Sequence, residues 1–238
     1  MNSLSRLIGY ASVALSILHS IFFGIPVIAQ ADDGAIEAVG GTIRLLNEHP
    51  SIQLIAEFVH ARVAPSQVRV ECVFFLRNSG PATRVNVGFP CTSHGADVDH
   101  ATAFQEFHSY VDGESVSVRE VADTTLSGDQ FYRSWWVKDV SFRENEFKSF
   151  RNVYVAEPGM SYPNLRYFQY ELATGATWAG NISIGDVVLT LEGVALDSLE
   201  YIDPEPSSRA NQELRWHFKD LNPVNGSRLA RIHVMWRQ

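Results

Sequence analysis

The sequence is short of basic residues, of repeats, and of long apolar runs beyond residue 31. It has 19 Lys and Arg residues against 27 Asp and Glu residues, so its net charge is −8. Nucleic acids and anionic membrane surfaces bind proteins with a basic footprint, so this acidic balance argues against both partners. No later segment approaches the ~20 apolar residues that a spanning helix needs, so we predict no membrane span after residue 31.

Familiar catalytic and cofactor motifs are also missing. The sequence contains no Gly-x-Ser-x-Gly elbow, no His-Glu-x-x-His helix, no P-loop and no dinucleotide fingerprint. No acidic loop follows the alternating pattern of a calcium-binding loop. We therefore predict no cofactor, and we expect a non-catalytic protein rather than an enzyme.

The first feature that is present is an export signal. A short polar start with one basic residue precedes an apolar run at residues 7–28, and Ala29-Gln30-Ala31 has the small-x-small pattern that signal peptidase cleaves. Gly24 and Pro26 break the apolar run just before this point, which favours cleavage over retention as a membrane anchor. We predict a signal peptide at residues 1–31 and a mature chain exported to the periplasm or the extracellular space.

The remaining chain alternates apolar and polar residues with a period of two, the pattern of half-buried strands. The clearest run is Val68–Leu76, in which Arg69 and Glu71 stand between apolar residues. Runs at Leu214–Phe218 and Ile232–Trp236 flank turn signals and predict a C-terminal hairpin. Many short strands separated by turns predict an all-β protein with an antiparallel β-sandwich-like architecture and little helix.

One polar stretch, at residues 122–130, predicts a linker because it is rich in Thr, Ser, Gly and Asp. It divides the mature chain into an N-terminal β domain at residues 32–121 and a C-terminal β domain at residues 131–238. We therefore expect two packed β units.

The two cysteines, Cys72 and Cys91, either form a disulfide or stay as buried free thiols. An even pair in an oxidising compartment favours a bridge. If the turn at residues 78–81 makes a hairpin of the flanking runs, the cysteines lie about four residues out of register, or about 13 Å apart. A disulfide needs Cα atoms within about 7 Å, a gap that a chain folding back after Pro90 would close. Both alternatives stay open.

Two parts of the chain resemble a known family. One is the series Asp33–Gly41, Pro65–Val70, Phe75–Gly80 and Val87–Pro90, and the other is Tyr170–Ile182, which reads Tyr-x-Leu-x-Thr-Gly-x-x-Trp-x-Gly-x-Ile. Their order resembles a family of exported bacterial proteins catalogued as domain of unknown function 4424. The resemblance implies an extracytoplasmic β protein and brings no activity or catalytic residue. Such sequences tend to continue Phe-Pro with leucine where this chain has Cys91, which weakens the case for a disulfide.

The most suggestive polar cluster is a loop with two imidazoles and two carboxylates, His94, Asp97, Asp99 and His100. These groups are the nitrogen and oxygen ligands that zinc and other transition metals take. The alternative is a solvated acidic loop, because the spacing matches no closed structural site. A carbohydrate-acting or metal-assisted hydrolase that uses this loop is our alternative function.

Dense aromatic residues form the candidate ligand site, which consists of Tyr132, Trp135, Trp136 and Trp178. Trp135 and Trp136 are adjacent on a predicted strand, so they point to opposite faces and one of them is at least partly exposed. An exposed Trp would hold a protein or glycan partner, whereas packing between the β units is the alternative. Trp178 either plugs the core or serves as an exposed platform. We interpret the protein as an exported binding or structural module of the periplasm or cell envelope.

Overall fold

The computed structural model describes residues 39–41, 43–46, 48–90, 104–122, 134–161, 164–172, 177–222 and 231–238. The predicted signal at residues 1–31 lies outside these ranges. All described residues belong to one compact unit, Asp33–Gln238. Within the described ranges, no helix is long and apolar enough to cross a membrane.

Nearly all regular structure in the described ranges is β-strand, which confirms the predicted all-β class. The strands are β1 Val39–Gly41, β2 Arg44–Leu45, β3 Ile52–Val63, β4 Val68–Asn78, β5 Thr83–Pro90, β6 Phe104–Val111, β7 Glu114–Ser115, β8 Arg119–Ala122, β9 Ser134–Phe142, β10 Phe147–Ala156, β11 Gly159–Ser161, β12 Leu165–Glu171, β13 Ile182–Leu191, β14 Leu199–Asp203, β15 Ser208–Ala210, β16 Glu213–Leu221 and β17 Arg231–Arg237. A 3-10 turn, Leu196–Ser198, precedes β14.

The described strands form three sheets. Sheet A has five strands, in the order β1-β12-β17-β14 with β11 also paired to β12. Sheet B has four strands in the order β2-β5-β9-β8, and sheet C has eight in the order β15-β16-β13-β3-β4-β10-β6-β7. Most pairs are antiparallel, but β13 runs parallel to β3 and β1 runs parallel to β12.

The core lies against one face of sheet C, and both smaller sheets cover that face. In β4 the side chains of Val68, Val70, Cys72, Phe74, Leu76 and Asn78 are buried and those between them point outward, as the period of a strand requires. From sheet B, the Phe89 ring lies 5.5 Å from the ring of Tyr154 on β10. From sheet A, Tyr170 contacts Glu57 on β3. This layering is sandwich-like, as predicted.

Two predicted hairpins are wrong, because the two strands of each belong to different sheets. β4 pairs with β3 and β10, whereas β5 pairs with β2 and β9. The buried Asn78 side chain turns the chain here, since its amide donates hydrogen bonds to the Pro81 carbonyl at 2.8 Å and the Arg143 carbonyl at 2.9 Å. Likewise β16 belongs to sheet C and β17 to sheet A, so the C-terminal runs do not pair.

The predicted boundary at residues 122–130 does not separate two sets of strands. β4 pairs with β10 across this boundary, and β3 pairs with β13. Sheet B is mixed in the same way, because β5 pairs with β9. Strands from before and after residues 122–130 thus satisfy one another's backbone hydrogen bonds. The described strands form one unit rather than the two expected.

Candidate binding surface

Several predicted site residues lie outside the described ranges. These are the four members of the proposed metal loop, together with one aromatic and one cysteine: His94, Asp97, Asp99, His100, Tyr132 and Cys91. The predicted metal site therefore stays a prediction, whereas the structure has Cys72 as a free thiol rather than as one half of the predicted disulfide. Among the described residues, no group of three or more His, Cys, Asp and Glu side chains is arranged to hold a metal ion.

The two adjacent tryptophans point to opposite faces of sheet B, and both are packed. Trp135 is 1% exposed and lies in a small apolar cluster with Val137 on the face away from the main core. Trp136 is partly buried, with its ring 4.0 Å from that of Phe107. Trp135 is therefore no exposed platform, and the Arg44 guanidinium lies over its ring at 4.7 Å from the centroid.

Trp178 and Cys72 are core residues. The indole N–H of Trp178 donates a hydrogen bond of 2.8 Å to the Ile43 carbonyl, and its side chain is buried, which is the core-plug alternative. Cys72 is a free, fully buried thiol that lies 3.7 Å from the Tyr170 hydroxyl. Burial raises the pKa of this thiol well above its ordinary value.

A different surface carries exposed aromatic side chains, namely the outer face of sheet C. Phe58 on β3 is 38% exposed and Phe75 on β4 is 40% exposed, and the two rings meet edge to face with centroids 6.2 Å apart. Val73 stands directly opposite Phe58 on the neighbouring strand. Beside them a shallow cavity of about 570 Å³ has Phe58, Val73 and Val188 among its lining residues.

The charged side chains around this cavity are paired with one another. Arg151 Nε lies 2.8 Å from Glu71 Oε1, and Arg215 Nη2 lies 2.6 Å from Glu213 Oε2. His217 Nδ1 lies 2.8 Å from the carboxylate of Asp186. The surface thus combines an apolar floor with a largely neutralised rim. We refer to it as the Phe58 face.

The sequence carries a signal for the Phe58 face, which the predicted aromatic site does not include. On β4 the outward positions are Arg69, Glu71, Val73, Phe75 and Arg77. Two apolar residues therefore stand where strand alternation calls for polar ones. Apolar residues at solvent-facing positions of a strand are the pattern that marks an interaction surface.

A second group of polar side chains is buried between sheets B and C. Lys138 on β9 donates hydrogen bonds to the Ser109 hydroxyl and, at 3.1 Å, to Asn152 Oδ1. The Ser109 hydroxyl donates to the same Asn152 oxygen at 2.8 Å. The three residues are at most 4% exposed, and burial lowers the pKa of Lys138 to about 7. We call this group the Lys138 cluster.

Buried polar groups continue beneath sheet A. Ser109, Asn152 and Cys72 stand in register on three adjacent strands of sheet C. Next to this row, the Tyr170 hydroxyl donates a hydrogen bond of 2.7 Å to Glu57. Burial raises the pKa of Tyr170 well above its ordinary value, and the neighbouring Cys72 and Glu57 add to this shift.

Comparison with known proteins finds a solved structure with a similar fold but no significant match in sequence. No protein-family model matches the chain, and no curated protein is significantly similar to it in sequence. A crystal structure from Legionella pneumophila, described as a "putative nutrient binding protein", has a TM-score of 0.64 at 14% identity over 85% of this chain and 71% of that chain. At this identity the likeness shows the fold alone.

Two further structures align less well. An M1 zinc metallopeptidase of Deinococcus radiodurans has a TM-score of 0.38 at 11% identity, covering 80% of this chain and 43% of that chain. Leukotriene A4 hydrolase of Saccharomyces cerevisiae has a TM-score of 0.42 at 8% identity, covering 81% of this chain and 30% of that chain. These two TM-scores are too low to support a conclusion about this chain.

Proposed function

We propose that the protein is an exported, non-catalytic binding module of the periplasm or cell envelope, and that the Phe58 face is its binding surface. The observation that carries this proposal is the pair of exposed phenylalanines beside a cavity on the outer face of sheet C. Large apolar side chains that stay in water on a folded protein are typical of interaction sites. Their edge-to-face contact holds both rings in place, so a ligand would meet a preformed surface.

The chemistry of the face favours a peptide or protein partner with apolar side chains. A glycan is held largely by hydrogen bonds to free polar groups, whereas Glu71 and Glu213 around this cavity are engaged in ion pairs and Asp186 contacts His217. An apolar side chain placed on Phe58, Val73 and Val188 leaves those ion pairs intact and gains the burial of apolar area. A glycan partner is the other outcome that an experiment can reveal.

Two further points support export and binding. The N-terminal sequence has the features of a cleavable signal. The resemblance of the following chain to the exported family of unknown function points to the same compartment. The structural neighbour from Legionella has a name that denotes binding, and the two chains share a fold. The hydrolase alternative depends on residues 94–100, which lie outside the described ranges, so no observation favours it.

The test is selection of a displayed random-peptide library on the immobilised mature chain, followed by calorimetric titration of the selected peptides. We expect peptides with apolar residues to be enriched, and Phe58→Ala to raise their dissociation constant about tenfold to thirtyfold, since central aromatic contacts contribute about 1.4–2 kcal/mol. Phe147→Ala is the matched control, because Phe147 is 60% exposed but does not line the cavity.

Three results would contradict the assignment of this surface. Peptides that bind wild type and Phe58→Ala equally would place the binding site elsewhere. Failure to select any peptide, combined with a melting-temperature rise for one oligosaccharide or cell-wall fragment, would replace the peptide with a glycan. If neither the peptides nor the oligosaccharides and cell-wall fragments bind, a structural role remains.

A further inference from the structure

The Lys138 cluster brings an amine and a carboxamide together in a buried site. Lys138 comes from sheet B and Asn152 from sheet C, and their side chains meet with Nζ 3.1 Å from Oδ1. The Phe150 ring lies 5.3 Å from the same amine. In the described part of the chain, no carboxylate forms an ion pair with Lys138, and burial is what shifts the pKa of its ammonium group.

Burial of an unpaired ammonium group favours its neutral form, because the charged form loses hydration without compensation. The pKa of about 7 makes a large share of Lys138 a neutral amine near neutral pH. A neutral amine has a lone pair and is a nucleophile, as catalytic lysines in apolar pockets show. Lys138 therefore has the chemical form that attacks a carbonyl.

Asn152 is held in a form that accepts such an attack. Its Oδ1 receives two hydrogen bonds, one from Ser109 and one from Lys138, and both polarise the carbonyl. Its Nδ2 is buried and has no hydrogen-bond partner in the described part of the chain. A buried amide nitrogen without a partner costs free energy, and its departure would remove that cost.

We propose that Lys138 and Asn152 form an intramolecular amide cross-link between sheets B and C. The Lys138 nitrogen bonds to Cγ of Asn152, the bond from Cγ to Nδ2 breaks, and ammonia leaves. The proton that the amine loses passes to the departing nitrogen, which leaves as neutral ammonia. No oxidant, reductant or co-reactant is required.

Such a bond would serve an exported protein well. The cross-link adds a covalent bond across the interface between sheets B and C, which are otherwise joined by side-chain packing and by chain connections such as that from β9 to β10. Unlike a disulfide, an amide bond does not depend on the redox state of the compartment. Ser109 acts as a positioning residue, because it orients and polarises the carboxamide without entering the product.

The test is the intact mass of the purified protein under denaturing conditions, followed by tryptic mapping. We expect a mass about 17 Da below the sequence mass, which corresponds to one ammonia. Trypsin does not cleave after an acylated lysine, so one cross-linked species should join residues 134–143 to residues 152–166. Lys138→Met should restore the full sequence mass, and Ser109→Ala should slow formation of the bond during refolding.

Lys148→Met is the matched control, because Lys148 is a neighbouring lysine whose Nζ lies 2.9 Å from the carboxylate of Asp112. This variant should keep the deficit. An unmodified wild-type mass would overturn the proposal, and this measurement does not depend on the folding of any variant. A deficit confined to the peptide of residues 152–166 would overturn it too, since it would show that Asn152 lost ammonia by ring closure onto the Val153 backbone nitrogen.

Discussion

At the scale of the residue, the polar side chains inside the core are the least ordinary feature of the molecule. The described part of the chain buries seven of them: Glu57, Asn78, Ser109, Lys138, Asn152, Gln169 and Glu171. A buried polar group is tolerated when hydrogen bonds replace its hydration. None of the seven is evident from the sequence, because a single Lys or Asn in a strand pattern is typical of an outward position.

The Cys72 thiol should resist modification in the folded protein. It is fully buried, and burial raises its pKa, so it is neither accessible nor ionised. In a Cys91→Ser background we expect no reaction with a thiol reagent at neutral pH until denaturant is added. Titration of one thiol in the native Cys91→Ser protein would contradict this expectation.

His233 should make the protein less stable in acid. Burial lowers its pKa below the ordinary value and Arg231 lowers it further, while Asp203 opposes the shift. Below pH ~6.5 the unfolded state therefore binds more protons at His233 than the folded state does. The contribution of His233 to the free energy of unfolding is complete above that pH and is lost as the pH falls through the folded-state pKa.

The measurement for His233 is the melting temperature from about pH 8 to about pH 5. We expect His233→Gln to flatten part of the acid decline. His108→Gln is the matched control because its side chain is exposed. An identical decline in wild type and His233→Gln would show that other groups cause it.

At the scale of the element, strand existence was predictable and strand pairing was not. The run Val68–Leu76 was expected as a strand and is β4. Its predicted partner, the run now called β5, belongs to another sheet. A turn signal in the sequence indicates only that the chain changes direction. The hydrogen bonds of the buried Asn78 amide hold the turn after which β5 joins another sheet.

β13 contains a position where only glycine fits. A Cβ atom built on Gly185 would lie 1.9 Å from the ring of Phe218 on the neighbouring strand. We expect Gly185→Ala to lower the free energy of unfolding by about 1–3 kcal/mol through overpacking. Chemical denaturation measures this loss, with Ser183→Ala at an exposed position of the same strand as control. Equal midpoints for both variants would contradict the predicted clash.

At the scale of the whole molecule, the two halves of the sequence share their sheets. We expect residues 32–121 expressed alone to be unfolded, because β3 and β4 would lose their partners β13 and β10. The measurement is the amide dispersion of the fragment in an NMR spectrum, with residues 32–238 as control. A cooperatively folded fragment would instead support the two-domain prediction.

The sequence by itself determined the strand-rich class, the acidic balance and the inward face of runs such as Val68–Leu76. Those properties depend on neighbours along the chain, since alternation assigns each side chain to one face of a strand. The tertiary structure alone decided which strands share a sheet, that Trp135 and Trp178 are buried, and that Lys138 meets Asn152. These outcomes depend on which distant residues cover each face, and a local pattern carries no information about that.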